Sequence, residues 1–267
     1  MKTALTLMLS MVLATFTTAQ ELKPELLDGE LTATFKIMNQ DGSPAVGERY
    51  ELSVNDGDWF IVQEAEVPAD GMIRVEGMVG GKKAPQYIMK VGATNTMVGI
   101  LRLVDESPQL AYEYKIPPSI GDMAPDIKMD ELFADDSRML SDYRGTFVFL
   151  DFWATWCGPC QKPMAHNQEL LETKKEWNDK VVVVALSIDE EIRTVKKHVK
   201  KKGWDLMEHY FSADGEPGWQ SAAPQVYGVL SIPTALIIDP DGKIVWRGNP
   251  NRGDMEKRID RALSDWE

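Results

Sequence analysis

Val148-Phe-Leu-Asp-Phe-Trp-Ala-Thr-Trp-Cys-Gly-Pro-Cys160 decides how the rest of this chain is read. From Phe147 to Trp156 the run is apolar except at Asp151 and Thr155. Such a series of branched and aromatic residues reads as a central strand covered on both faces. Gly158 and Pro159 then turn the chain into a helix, expected to continue through Gln161 to about Trp177. Cys157 falls at or near the N-terminus of that helix, where free N–H groups and the helix dipole favour negative charge. A thiol placed there is expected to ionise near ~7, compared with ~8.5 for a free cysteine.

Cys157 and Cys160 are the only cysteines in the chain, so the pair is either redox-active or a tight, silent disulfide, and no cysteine is left for structural bridges. The strand-to-helix setting favours redox work. Two intervening residues place both thiols on one helical turn, close enough to bridge. Cys157, nearer the helix N-terminus and expected to be the more exposed, is the attacking thiolate. Its attack on a partner disulfide gives a mixed disulfide that Cys160 resolves. Half a zinc site is the competing reading, but His166, His198 and His209 have no ligand spacing relative to the pair, so no metal is expected. No histidine stands directly after Cys160, which excludes covalent haem attachment. No organic cofactor is implied.

The 267 residues suit one large domain or two ordinary ones, and an apolar fraction of 43 % is ample for a core. The net charge of -13 argues against nucleic acid or an anionic membrane as partner. Residues 1–19 have the pattern of a secretory signal: Lys2, a mostly apolar stretch from Leu5 to Phe16, then Thr17-Thr-Ala19. The apolar part is short for a bilayer span, and no cysteine follows it to carry a lipid. The expectation is a soluble protein exported to a periplasm or beyond.

Residues 20–118 read as an all-β accessory domain. Leu31 to Met38, Arg49 to Val54, Trp59 to Val67, Met72 to Val79, Gln86 to Val91, Met97 to Val104 and Leu110 to Tyr114 are candidate strands, with turns at Asn55-Asp-Gly57, Ala69-Asp-Gly71 and Gly80-Gly-Lys82. A small antiparallel sandwich or partly open barrel is expected. The scattered Met72, Met78, Met89 and Met97 read as core filler. Tyr50, Trp59 and Phe60 are either core or an exposed patch through which a homodimer could form. Pro117-Pro118 stiffens a linker and sets the domain boundary near residue 118.

Residues 119–267 have a different rhythm. A short strand is expected from Ile127 to Leu132, a turn-rich segment from Asp135 to Arg144, then the strand and helix around the cysteines. Lys180 to Ile188 reads as a second buried parallel strand. Asp189 is placed to cap a helix from about Glu190 to Lys202, closed by Gly203. Asp205 to Phe211 reads as a strand, Gly218 to Tyr227 as helical, Thr234 to Asp239 and Ile244 to Arg247 as a hairpin, and Arg252 to Trp266 as a final helix. Pro163 is expected to kink the helix that follows the cysteines.

With Asp151-Phe-Trp-Ala-Thr-Trp-Cys-Gly-Pro-Cys160, Pro163, Ser231-Ile-Pro-Thr234, Gly121-Asp-Met-Ala-Pro-Asp126 and Leu140-Ser-Asp-Tyr-Arg-Gly145 in view, this part of the chain resembles the thioredoxin superfamily, within its secreted branch of TlpA-like and ResA-like thiol-disulfide oxidoreductases. The resemblance implies an α/β thioredoxin-like three-layer sandwich with an inserted helix and strand, here preceded by the small all-β domain. It implies that Asp151 lies beneath the second cysteine and assists its proton transfers, with burial raising its pKa. It also implies a cis bond before Pro233 that brings the backbone of Ile232 beside the cysteines, where a substrate peptide can pair with it. Gly158 and Pro159 bear on redox poise, Trp156 on partner docking, and Trp153 on packing. The implied activity is reduction of protein disulfides, fed by a membrane thiol donor, with a role in cytochrome c maturation as the narrower reading. Alternatives are a thiol peroxidase, and a β domain that binds a cell-envelope component with the redox module tethered to it.

Overall fold

The computed structural model describes residues 22–266 apart from 57, 80–84, 93–95, 102–108, 213 and 215–216. The signal-like segment 1–19 and the Gly80-Gly81 turn lie outside the described residues. The chain divides into two compact units, Met1–Pro117 and Pro118–Glu267.

In the first unit β1 (Leu31–Met38), β4 (Met72–Met78) and β7 (Gln109–Lys115) form one sheet in the order β4-β1-β7, while β2 (Arg49–Asn55), β3 (Trp59–Glu66), β5 (Tyr87–Val91) and β6 (Thr96–Leu101) form another in the order β3-β2-β5-β6. β1 alternates strictly, burying Leu31, Ala33, Phe35 and Ile37 and leaving the residues between them partly exposed. This is the period of a strand with one face on a core. The second sheet is antiparallel throughout, but β7 runs parallel to β1. The purely antiparallel expectation fails there because the chain reaches β7 only after building the whole of the other sheet, and a return from that distance need not be a hairpin. Met78 and Met89 are buried in the core, as are Tyr50 and Trp59, and the half-buried Phe60 ring lies under the Lys23 ammonium at 4.0 Å. These aromatics form no exposed patch.

The second unit is built on a seven-stranded sheet, β14-β13-β10-β11-β12-β8-β9. Its strands are β8 (Lys128–Glu131), β9 (Ser137–Met139), β10 (Phe147–Trp153), β11 (Val181–Ser187), β12 (Glu208–Phe211), β13 (Thr234–Ile238) and β14 (Ile244–Gly248). The helices are α1 (Gln161–Thr173), α2 (Ile192–Lys202), α3 (Ala222–Val226) and α4 (Met255–Trp266). β10, β11 and β12 are parallel and joined by helical crossovers. The hairpin β13–β14 adds antiparallel to β10, and β8 adds antiparallel to β12. All seven residues of β10 are buried. Since successive side chains of a strand point to opposite faces, the sheet is covered on both sides at its centre. This is the thioredoxin-like α/β fold.

Local chemistry moves several boundaries. α1 stops at Thr173 instead of running to Trp177, and a 3-10 turn, Lys175–Trp177, follows. The Thr173 hydroxyl bonds back to the Glu169 carbonyl at 2.8 Å. Beyond it, Lys174 pairs with Glu176, Glu256 and Asp260, and buried Trp177 donates to Asp260 at 2.7 Å. Those tertiary anchors to α4 outweigh continuation of the helix. β12 begins at Glu208 because Asp205 is held by Gln168 Nε2 at 3.0 Å. Asp189 caps nothing: Glu191 occupies the cap position of α2 without a side-chain bond, and Gly203 closes the helix in the left-handed conformation. Pro163 lies in the first turn of α1, where its missing N–H leaves no helical bond unmade, so the expected kink has no cause.

Candidate redox site

β10 delivers the chain into the loop Ala154–Trp156, and Asp189 fixes that loop. Its carboxylate accepts from the Thr155 amide at 2.9 Å, the Thr155 hydroxyl at 2.6 Å and the Ser187 hydroxyl at 2.7 Å. The chain leaving β10 is thus tied to the end of β11. The Cys157 amide donates to Ala154 O and the Cys160 amide to Cys157 O, which shapes a 3-10 turn, Gly158–Cys160, with Cys157 at its N-cap. Pro159 fits this first turn, whose amides have no acceptor within the helix. α1 continues from Cys160.

Cys157 and Cys160 form a disulfide, S–S 2.01 Å, with Cα atoms 5.3 Å apart. Cys157 is the more exposed of the two, as expected, but by a narrow margin: it is 2 % exposed and Cys160 0 %. Both sulfurs belong to the apolar core of this unit. The surface at the site is formed instead by Gly158 and Pro159 and by Trp156, which is 54 % exposed and sets its ring 6.3 Å from that of Trp219.

Asp151 is wholly buried in the middle of β10. Asn167 Nδ2 donates to its Oδ2 at 3.1 Å, while Oδ1 has no partner. Desolvation pushes its pKa up to about 7, and the Asn167 bond pulls weakly the other way. Asn167 is seven residues beyond Cys160. In an α-helix that spacing repeats nearly the same direction, so Cys160, Met164 and Asn167, all buried, form one inward stripe. The Asp151 carboxyl therefore lies under the same face of α1 that carries Cys160.

The register pairs Phe152 with Thr234, which puts Ile232 and Pro233 at the sheet end from which β10 leaves toward Cys157. The Ile232–Pro233 peptide is cis, and both residues are buried. Trp153 is fully buried against His198 and Trp204, with ring centroids 5.8 and 5.7 Å away.

Several supports of the site have no signal in the sequence. Gln161 Nε2 donates to Cys157 O at 3.3 Å, and its Oε1 accepts from His198 Nε2 at 2.8 Å. Burial lowers the pKa of His198, in keeping with a neutral ring in that bridge. Asn251 Nδ2 donates to Pro159 O at 3.0 Å. Asn167 alone was open to discovery, as a polar residue on the apolar face of a helix. Trp219, Asn251 and His198 reach the site only through tertiary folding.

A thioredoxin-like sheet that ends in a Cys-x-x-Cys disulfide at the head of a helix defines a redox domain. The AhpC/TSA family model matches residues 120–247. Thiol-disulfide oxidoreductase ResA of Bacillus thuringiensis subsp. konkukian is 34 % identical over 142 residues, which is 52 % of this chain and 76 % of that protein. ResA of Geobacillus kaustophilus is 30 % identical over 151 residues, 56 % of this chain and 81 % of that one. A solved thiol-disulfide oxidoreductase from Bacteroides fragilis aligns at 22 % identity and TM-score 0.45, covering 53 % of this chain and 99 % of its own. The chain belongs to the ResA-like thiol-disulfide oxidoreductases.

Proposed function

We propose that this oxidoreductase is exported and works as a reductase of protein disulfides through Cys157 and Cys160. The observation that carries the reading is the disulfide at the head of α1 with a buried carboxyl, Asp151, under the same helix face. In the reduced pair, the Cys157 thiolate attacks one sulfur of a partner disulfide. One S–S bond forms, the partner's S–S bond breaks, and the partner's second sulfur leaves as a thiolate. Cys160 then attacks the Cys157 sulfur of the mixed disulfide, giving its proton to the Asp151 carboxylate and releasing the partner's remaining sulfur. The partner gains two electrons, and the Cys157–Cys160 disulfide is left.

Trp156 offers an apolar contact beside the disulfide, Gly158 and Pro159 leave the rim of the site open, and the backbone of Ile232 is placed to pair with an extended segment of the partner. Reset calls for a dithiol donor, for which a membrane thiol protein is the reading the family suggests, and haem-attachment cysteines of cytochromes c are the narrower substrate class. Export rests on the signal-like residues 1–19. Among the described residues no helix is long and apolar enough to cross a membrane.

Cys160→Ser tests the division of labour. With the resolving thiol gone, a protein disulfide should accumulate as a mixed disulfide on Cys157, visible as a thiol-sensitive band and by mass. Cys157→Ser should trap nothing. Equal trapping by both variants would refute the assignment.

A further inference from the structure

α2 is at odds with the rest of the molecule. The chain carries a net charge of -13, yet the eleven residues Ile192–Lys202 include Arg193, Lys196, Lys197, Lys200, Lys201 and Lys202 and no acid. All but the half-buried Lys196 are exposed. None of the six on α2 forms an ion pair with a described residue, although Lys174, Lys257 and Arg261 of the same unit do. Lysines in the last turn complement the helix dipole. That accounts for residues 200–202 and leaves Arg193, Lys196 and Lys197 without a reason.

The C-terminal end of the same helix borders a cavity of about 400 Å³ lined by Phe133, Lys200, Trp204, Asp205, Met207 and His209, among others. Phe133 is an exposed aromatic, its ring 5.6 Å from the Lys200 ammonium and edge-on to His209. His209 is itself buried, and its Nε2 lies 2.8 Å from the Trp204 carbonyl. A carbonyl only accepts, so Nε2 carries the hydrogen, and burial, which pulls this histidine down to about 4, keeps the ring neutral. Nδ1 then holds a lone pair with no donor facing it. That atom is closed to solvent, so the ring serves the cavity as a neutral wall and not as a bonding partner for an incoming group.

We propose that α2 and this cavity form a docking site for an acidic segment of a partner protein, anchored by an aromatic side chain. The acidic residues would lie along the unpaired cations of α2. The aromatic ring would enter beside Phe133, Trp204 and Met207, against the Lys200 ammonium. An anionic bilayer is the less suitable occupant: a flat surface does not fill a cavity, and the chain's overall negative charge would oppose it. The site extends the Proposed function by a contact apart from the cysteines, and it holds whichever way electrons flow.

The test uses the full chain and synthetic peptides free of cysteine: acetylated Glu-Glu-Trp-Glu-Glu amide, its counterpart with Ala in place of Trp, and Lys-Lys-Trp-Lys-Lys. Binding is read by calorimetry and by shifts of the Met207 methyl resonance. The acidic Trp peptide should bind, the Ala version about tenfold more weakly for want of the ring, and the basic peptide not measurably. Lys200→Glu with Lys201→Glu, both on the surface, should weaken the acidic Trp peptide by about tenfold or more. Indifference to peptide charge, no Met207 shift, or equal binding of the Trp and Ala peptides would overturn the proposal. So would retention of the chain on anionic vesicles without any peptide binding, which would reassign α2 to a membrane surface.

Discussion

Asp151→Asn isolates the electrostatic cost of the buried carboxyl. In the folded protein Asp151 titrates near 7, against a reference of 3.8. Below the reference value both folded and unfolded chains hold the proton, and the site costs nothing. Between 3.8 and about 7 the unfolded chain has released its proton and the folded one has not, so stability falls by about 1.4 kcal/mol per pH unit. Above about 7 both are ionised, and the loss levels off on the order of 4 kcal/mol. Asparagine has nearly the same shape and can still bond to Asn167 if that amide turns over, but it cannot ionise. The variant should therefore match the parent near pH 4 and grow progressively more stable than it up to about pH 8. Urea unfolding of the oxidised protein, followed by tryptophan fluorescence at several pH values, measures the difference. A gap that is constant with pH, or widest at low pH, would refute the burial of an ionisable carboxyl at this site. The same substitution should slow resolution by Cys160, so the gain in stability would come with a loss of turnover.

Other consequences concern the groups around the disulfide. Asn167→Ala removes the one side-chain donor to Asp151. It should move the carboxyl midpoint further upward, read by carbon NMR of the labelled carboxyl or by the pH profile of thiol reactivity. Asp189→Ala strands two donors of Thr155 and the Ser187 hydroxyl and should cost about 2–3 kcal/mol in urea unfolding. Trp156→Ala, at an exposed position, should leave stability within about 0.5 kcal/mol. It should lower the rate with a protein disulfide by about tenfold while sparing a small-molecule disulfide, as loss of an aromatic docking contact would.

Sequence periodicity carries far in this chain because the central strands are buried on both faces and the helices on one. The run from Phe147 to Trp153, the valines of β11 and the Ile192-Val195-Val199 stripe of α2 each bear a pattern that admits few alternatives. Partners remote in sequence leave no such trace. Asp189 sits where a helix cap is expected and serves instead as the acceptor for Thr155, thirty-four residues earlier. α1 ends early because Trp177 and Lys174 are claimed by Asp260 on α4. The parallel pairing of β7 with β1 depends on the path through the other sheet, which alternation does not encode. At the site, the order of residues places Cys157 at a helix start but says nothing of what covers its sulfur. Asp151 was legible as the one acid in an apolar strand, whereas its Asn167 partner required the helix face to be matched to the strand.

The measurement that bears most directly on the central claim is the equilibrium reduction potential of the Cys157–Cys160 couple. It is obtained in graded dithiol and glutathione buffers, with free thiols counted by alkylation and mass. A protein-disulfide reductase should lie near thioredoxin, at about -270 mV, where the dithiol form is a competent electron donor. A potential near about -120 mV, that of a strong oxidant such as DsbA, would contradict the account and make the protein a donor of disulfides.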